Sequence, residues 1–387
     1  MTRFLLPLRT TAALLLLSLM MMMAAGQAAA VAGGIEVIPI ASLGLGVSGD
    51  GAIVVGGLDN GAELLVSRWT EEGGVQTLGQ GVATDISRDG TTLVGDRMRG
   101  SFRWTMQQGY LELGNLSGGN RSTNALDLSG DGAIVIGLAH QSTGFRGFRW
   151  TESTGMVALG DLPGGFNFSQ ANSISADGQT IVGVSTGSSG DRAVRWIGAD
   201  PTPLTMGLPP GLTGFTEAKG VSGDGNVVVG VWGDGDSSNE AFRWTALGGY
   251  ELLGDLPGGL LDSVATQTND DGSVVVGTGN AGDDVPDEAF YWTENAGLRS
   301  LRDVLSDAGA DLSAWQTLDV PTSLSDDGNV IVGTGTLTDG TVVGFRARLI
   351  VPEPSGGVLL MVATVVVSCH RKGFRRRSLS RRNHQRD

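Results

Sequence analysis

At 387 residues the chain has material for two or three average domains or for one large all-β domain. Its 63 glycines are more than twice the usual share, yet 40% hydrophobic residues leave enough for a core, which excludes a disordered chain; no glycine recurs at every third position, which excludes collagen. A single cysteine excludes a disulfide framework and a cysteine-based zinc site. The net charge of −15 conceals an asymmetry: setting aside the ten basic groups at the two ends leaves 16 basic against 40 acidic groups in the body. Such a surface repels nucleic acid and anionic lipid, so no nucleic-acid partner is expected.

Arg3 and Arg9 flank an apolar run from Thr11 to Ala25, and Ala28, Ala29 and Ala30 offer a small-residue cleavage site before Val31. This is the pattern of a secretory signal peptide, assigned to residues 1–30.

From residue 31 to 350 the chain is repetitive. Asp-Gly recurs at Asp50, Asp89, Asp131, Asp177, Asp224, Asp271 and Asp327, each time followed by a β-branched run and a glycine, as in DGAIVVG, DGQTIVG and DGNVVVG. A serine stands two places earlier (Ser48, Ser87, Ser129, Ser175, Ser222, Ser325), replaced by Asn269 in the sixth copy. A second element reads SRWT, FRWT, FRWT, VRWI, FRWT, FYWT and FRAR, and a third reads LGNLSGG or LGDLPGG. Asp-Gly between apolar runs is a hairpin signal, and both flanking runs have strand composition. Four short strands fill each repeat of about 46 residues. The seventh copy ends without its closing strand, while Gly34 to Ile40 precedes the first copy as an unmatched strand. The expected fold is therefore all-β: a seven-bladed β-propeller of four-stranded antiparallel blades, the last blade closed by the N-terminal strand. In the sixth copy an insert from Leu298 to Trp315 places Leu301, Val304, Leu305 and Ala308 at helical spacing, which predicts a short helix on one rim.

These copies, over roughly residues 44–348, resemble the HAF repeat of bacterial extracellular proteins, whose units carry the same three motifs in the same order. The resemblance implies export and a repeat fold rather than an activity.

Val351-Pro352-Glu353-Pro354-Ser355 is followed by an apolar stretch, Gly356 to Cys369, and an arginine-rich tail. Fourteen helical residues span about 21 Å, and the basic tail would hold its end on the cytoplasmic side. Residues 351–387 resemble the PEP-CTERM sorting signal, a Pro-Glu-Pro motif, short transmembrane helix and basic tail. That resemblance implies processing by an exosortase-type membrane enzyme through Pro352, Glu353 and Pro354, membrane contact through the helix before processing, and association with exopolysaccharide-producing bacteria.

Residue by residue, the plain roles outweigh the chemical ones. Trp69, Trp104, Trp150, Trp196, Trp244 and Trp292 occupy one position of the repeat and are expected to pack between blades; Trp232 and Trp315 fall outside it and are the better candidates for an exposed contact. The arginines beside the repeated tryptophans are expected to pair with carboxylates, and the repeated Asp to serve the turn. Calcium is the one ligand with candidates: Asp234, Asp236, Asn239 and Glu240 in one loop, and Asp283, Asp284, Asp287 and Glu288 in another, without EF-hand spacing. Solvated acidic loops are the alternative, and no other cofactor is expected. His140 has no nucleophile-elbow motif with it, and no phosphate-loop, dinucleotide or HExxH pattern occurs. The sequence thus points to a non-catalytic, exported protein of the cell envelope, outer surface or extracellular matrix, structural or adhesive, with extracellular polysaccharide or surface proteins as partners. A lectin-like or calcium-dependent binding module is the alternative, and a secreted polysaccharide hydrolase would need two carboxylates facing one cleft.

Overall fold

The computed structural model describes residues 34–38, 40, 45–120, 122–236, 238–282 and 287–349. The signal segment, the sorting segment with Pro352, Glu353 and Pro354, and the acidic pair Asp283 and Asp284 lie outside them.

The described residues form seven four-stranded antiparallel sheets. Strand β1 (Gly34–Ile38) comes first but belongs to the last sheet. Blade 1 follows as β2 (Gly46–Val47), β3 (Ile53–Asp59), β4 (Leu64–Thr70) and β5 (Gly74–Gln80). Blade 2 is β6 (Val82–Ile86), β7 (Thr92–Arg97), β8 (Gly100–Thr105) and β9 (Gly109–Glu112). Blade 3 is β10 (Thr123–Leu128), β11 (Ile134–Gln141), β12 (Gly144–Thr151) and β13 (Gly155–Ala158). Blade 4 is β14 (Ser169–Ile174), β15 (Thr180–Gly187), β16 (Gly190–Ile197) and β17 (Leu204–Thr205). Blade 5 is β18 (Phe215–Val221), β19 (Val227–Gly233), β20 (Asn239–Thr245) and β21 (Gly249–Leu252). Blade 6 is β22 (Val264–Thr268), β23 (Val274–Gly279), β24 (Glu288–Thr293) and β25 (Gly297–Ser300). Blade 7 is β26 (Trp315–Leu324), β27 (Val330–Leu337) and β28 (Val342–Arg348), with β1 paired outside β28 from Gly34↔Arg348 to Ile38↔Gly344. Helix α1 (Leu301–Asp307) fills the predicted insert: Ser300 caps it by accepting from the Arg302 N–H, and Leu301 and Leu305 are fully buried against blades 6 and 7.

The Asp-Gly motif is a self-bonded bracket between the first and second strands of each blade. In six copies the serine Oγ donates to the Asp Oδ1 at 2.6 Å, and Asn269 Nδ2 donates to Asp271 at 2.9 Å in the sixth. The same serine oxygen accepts the N–H that opens the next strand, as Ile53 does to Ser48 at 3.0 Å, so a buried hydroxyl is satisfied twice. The glycine must be glycine: its φ lies between 66° and 74° in all seven copies. Serine and main-chain donors hold the carboxyls of Asp50, Asp89, Asp131 and Asp271 below the usual range; Asp224 and Asp327 are also lowered, their bracket hydrogen bonds outweighing burial.

The second conserved glycine of the motif has a different cause. In blades 2 to 7 the first strand carries a β-bulge, for instance between Ala171 and Ser173, four and two places before the serine. The bulge brings a main-chain carbonyl against the neighbouring strand. A Cβ on Gly183 would stand 1.9 Å from the Gln170 oxygen, and Gly95, Gly137, Gly230 and Gly277 meet the same obstacle at 2.0 Å. Gly183→Ala is therefore expected to lower stability by about 3 kcal/mol, since backbone must move. Gly155→Ala, at φ 64° with nothing within 4 Å, should lose only about 1 kcal/mol. Equal denaturant midpoint shifts for the two variants would contradict the bulge explanation.

Candidate functional site

Seven first strands surround a central channel, and the residue between serine and aspartate of each bracket lines one mouth: Gly49, Arg88, Gly130, Ala176, Gly223, Asp270 and Asp326. Their main chains form a closed collar. Gly49 donates to Arg88, Arg88 to Gly130, Gly130 to Ala176 and Ala176 to Gly223; Asp224 then donates to Asp270, Asp270 to Asp326, and Asp326 back to Gly49, at 2.9–3.4 Å. Each blade is thereby bonded to the next around the axis.

Across this mouth lies the Arg88 side chain. Its guanidinium hydrogen-bonds Asp270 and stands 3.3 Å, Nε to Oδ1, from Asp326. Two collar glycines make room for the triad: a Cβ on Gly223 would fall 1.6 Å from Asp270 Oδ1, and one on Gly49 would fall 2.5 Å from Asp326 Oδ2. Burial raises the Asp326 pKa even beside Arg88, with the Asp270, Asp327 and Asp50 charges adding to the effect.

Behind the mouth, two places before each serine, stand Gly46, Asp85, Asp127, Ser173, Gly220, Gln267 and Ser323. Asp85 and Asp127, on adjacent blades, both line the channel. Asp127 accepts from the Leu128 N–H at 2.6 Å and the Ile174 N–H at 2.9 Å. Enclosure in the channel pushes the Asp85 carboxyl well above its ordinary pKa; the Asp127 charge pushes it the same way. The cavity beside the pair measures about 110 Å³. Among the described residues, no three His, Cys, Asp or Glu side chains are grouped to hold a metal ion.

The described acidic residues among the calcium candidates lie at the opposite rim, in and beside the hairpins of blades 5 and 6. Asp234 accepts from the Asp236 N–H at 2.8 Å and the Ser238 N–H at 3.2 Å within its own turn. Asn239 donates to Asp262, and Glu240 accepts from the Gly254 N–H. Glu288 faces Arg302 at 3.5 Å. Burial and then the charge of Asp255 raise the Glu240 pKa; burial, Asp262 and Asp255 raise that of Asp287. The structure thus gathers Glu240 and Asp287 around Asp255 and Asp262, two acids that the sequence reading did not single out.

Other expectations are met or corrected by the packing. Trp69, Trp150, Trp196 and Trp292 are buried and Trp104 and Trp244 half-buried, all within the apolar clusters. Trp232 and Trp315 are not exposed contacts. Trp232 is buried in the blade 4–5 cluster with its Nε1 donating to the Thr213 carbonyl at 2.8 Å, and Trp315 packs edge-on to Phe345 beneath α1. The repeated arginines are only partly carboxylate partners. Arg243 meets Glu251 and Arg346 meets Glu36, but the recurring bond is to the next blade's bracket glycine: Arg103 to Gly132, Arg243 to Gly272 and Arg346 to Gly51. Arg195, Arg243 and Arg346 also lie over the next blade's Trp244, Trp292 and Trp69. His140 sits edge-on to Phe145, and among the described residues its buried Nδ1 has no hydrogen-bond partner.

No protein-family model and no curated protein matches the sequence. Among solved structures the fold is similar to an oligogalacturonate lyase in complex with manganese, 13% identical over 82% of this chain and 91% of that one, with a TM-score of 0.53. It is similar also to an oligogalacturonate lyase from Vibrio parahaemolyticus (12% identical, 82% and 91% covered, TM-score 0.52) and to a chain of the mitotic checkpoint complex (15% identical, 82% and 95% covered, TM-score 0.50). At these identities the likeness shows the β-propeller alone, a fold that carries unrelated functions.

Proposed function

We propose that the chain is an exported, non-catalytic propeller that serves as a structural or adhesive element of a bacterial cell envelope or extracellular matrix. The observation that carries this reading is where the recurring side chains go. The bracket serines and aspartates bond their own turns, three of the six repeated arginines bond the next blade's turn, and the tryptophans fill the clusters between blades. What repeats is therefore committed to holding the ring together, and any partner meets the variable rim. The address rests on the signal-peptide pattern of residues 1–30 and on the HAF-repeat and PEP-CTERM resemblances.

The channel chemistry agrees with a non-catalytic role. Carboxyl pairs that hydrolyse glycosides stand about 5 Å or more apart to admit the sugar or a water. Asp85 and Asp127 line a space of only about 110 Å³, and Arg88 lies across its mouth. The second reading, a calcium-dependent module binding polysaccharide, rests on the oxygen-rich composition of the acidic loops, since among the described residues no three acids are grouped to hold an ion.

Two experiments test these readings. Replacing Pro352, Glu353 and Pro354 should leave export intact but trap the protein unprocessed in the membrane; equal processing of variant and parent would remove the sorting assignment. A glycan array with and without calcium should show no calcium-dependent binding and no turnover. Calcium-dependent glycan capture lost in Asp255→Asn would establish the second reading instead, and turnover abolished by Asp85→Asn would overturn the non-catalytic one.

A further inference from the structure

One hairpin of blade 1 carries hydrogen bonds that the repeat does not explain. Between β3 and β4 the chain turns through Asp59, Asn60, Gly61, Ala62 and Glu63, all exposed. Asn60-Gly61 is the one Asn-Gly step of the sequence. The Asn60 Oδ1 accepts from two main-chain donors, the Ala62 and Glu63 N–H groups, each at 2.9 Å. The Gly61 N–H donates to Asp59 Oδ1 at 2.8 Å. These are the parts of an acyl-transfer site: an amide carbon whose oxygen is held by two donors, a nitrogen one residue on that can attack it, and a carboxylate at that nitrogen's proton. The attack is intramolecular, and glycine leaves its nitrogen unshielded by a side chain.

Neighbouring motifs lack one part or another. Asn280 accepts, among the described residues, from the Gly282 N–H alone and is followed by Ala281. In the bracket Asp-Gly steps the glycine N–H is bonded to a main-chain carbonyl, as Gly51 is to Ser48 at 2.8 Å, and the side chain that would be attacked is an acid rather than an amide.

We propose that Asn60-Gly61 is a self-modifying site, at which the folded hairpin converts Asn60 to aspartate and isoaspartate through a cyclic imide. The Asp59 carboxylate takes the Gly61 N–H proton as that nitrogen bonds to Asn60 Cγ. The oxyanion forming at Oδ1 is held by the Ala62 and Glu63 N–H groups. The Cγ–Nδ2 bond then breaks, and Nδ2 leaves as ammonia with the proton that Asp59 had taken. Water opens the imide: cleavage of the new Cγ–N bond gives aspartate, and cleavage of the original peptide bond gives isoaspartate. Either product places a carboxylate between Asp59 and Glu63, and isoaspartate also lengthens the main chain of the turn that Glu63 ties to Gln80.

The test follows residue 60 in the full chain, kept folded at pH 7 and, in parallel, unfolded in guanidinium chloride at the same pH. Mass analysis of the fragment bearing residue 60 reads the loss of ammonia and the isoaspartate formed. The folded chain should convert at least about tenfold faster than the unfolded one. Asp59→Asn, whose amide oxygen still accepts the Gly61 N–H but takes no proton, should lose that advantage. Its rate should climb about tenfold per pH unit from pH 6 to pH 8, as attack driven by hydroxide does, while the parent's changes less than about threefold. Asn60→Ser should abolish the conversion, and neither exposed substitution should shift the melting temperature. The bracket aspartates, followed in the same folded sample, should stay unchanged. A smaller ratio of folded to unfolded rates, or an Asp59→Asn variant that keeps the parent's rate and pH profile, would overturn the site.

Discussion

A chain lacking residues 34–40 should lose its cooperative melting transition and aggregate. Strand β1 is the outer strand of blade 7, and five residues of it pair with β28, so its removal exposes a strand edge at the point where the two ends of the ring meet. Ile38 and Ile40, both fully buried, fill the cluster between blades 7 and 1 with Leu45, Val54, Trp69 and Val332. Losing two such side chains removes on the order of 4–8 kcal/mol, allowing for the cavity left behind. Arg346, only 4% exposed, would also lose Glu36 while remaining bonded to Gly51. Together these losses approach the whole stability of a typical domain. A peptide of residues 34–40 added in trans should restore part of the transition by supplying the missing strand. A melting curve like the parent's, without the peptide, would contradict closure by β1.

The ring and its closure could be read from sequence because their causes are local. Asp50-Gly51 and its six counterparts announce a positive φ and a hydrogen-bonded turn within a few residues, and an unmatched strand at Gly34 with a missing one after Arg348 leaves a single way to close. The channel was not legible for the opposite reason. Arg88 and Asp270 are 182 positions apart, and nothing near either residue names the other. The one available signal is variation inside a fixed motif: the slot between serine and aspartate holds Gly, Arg, Gly, Ala, Gly, Asp and Asp, and those charged exceptions are the residues that face one another. The arginine reading fell short because the main partner is a main-chain carbonyl, which composition does not reveal. Trp232 and Trp315 were misplaced because the cluster between blades 4 and 5 and the seat under α1 each take a large apolar side chain outside the repeat register. The acidic rim was half visible: the loops were found, but Asp255 and Asp262 reach them from the connection between blades.

Trp196→Ala should destabilise the ring by about 3–5 kcal/mol without altering any ligand binding. Trp196 is the largest fully buried side chain of the ring, packed with Ile136, Leu159, Ile174 and Ile181 where blade 3 meets blade 4. No surface of it is available to a sugar. Its indole Nε1 donates to the Gly160 carbonyl at 3.2 Å, and the Gly160 N–H in turn donates to Pro201, so the side chain pins the connection leaving blade 3. Trp196→Phe separates the two contributions. It keeps most of the apolar volume but leaves the Gly160 carbonyl without its donor, and should lose about 1–2 kcal/mol. The remaining difference between the two variants then measures the cavity. Denaturant midpoints for parent, Phe and Ala variants, taken at constant slope, would show this order. A parent-like midpoint for the Ala variant, coupled to loss of polysaccharide binding, would mean that the repeated tryptophans are recognition platforms and that the packing account of the repeat is wrong.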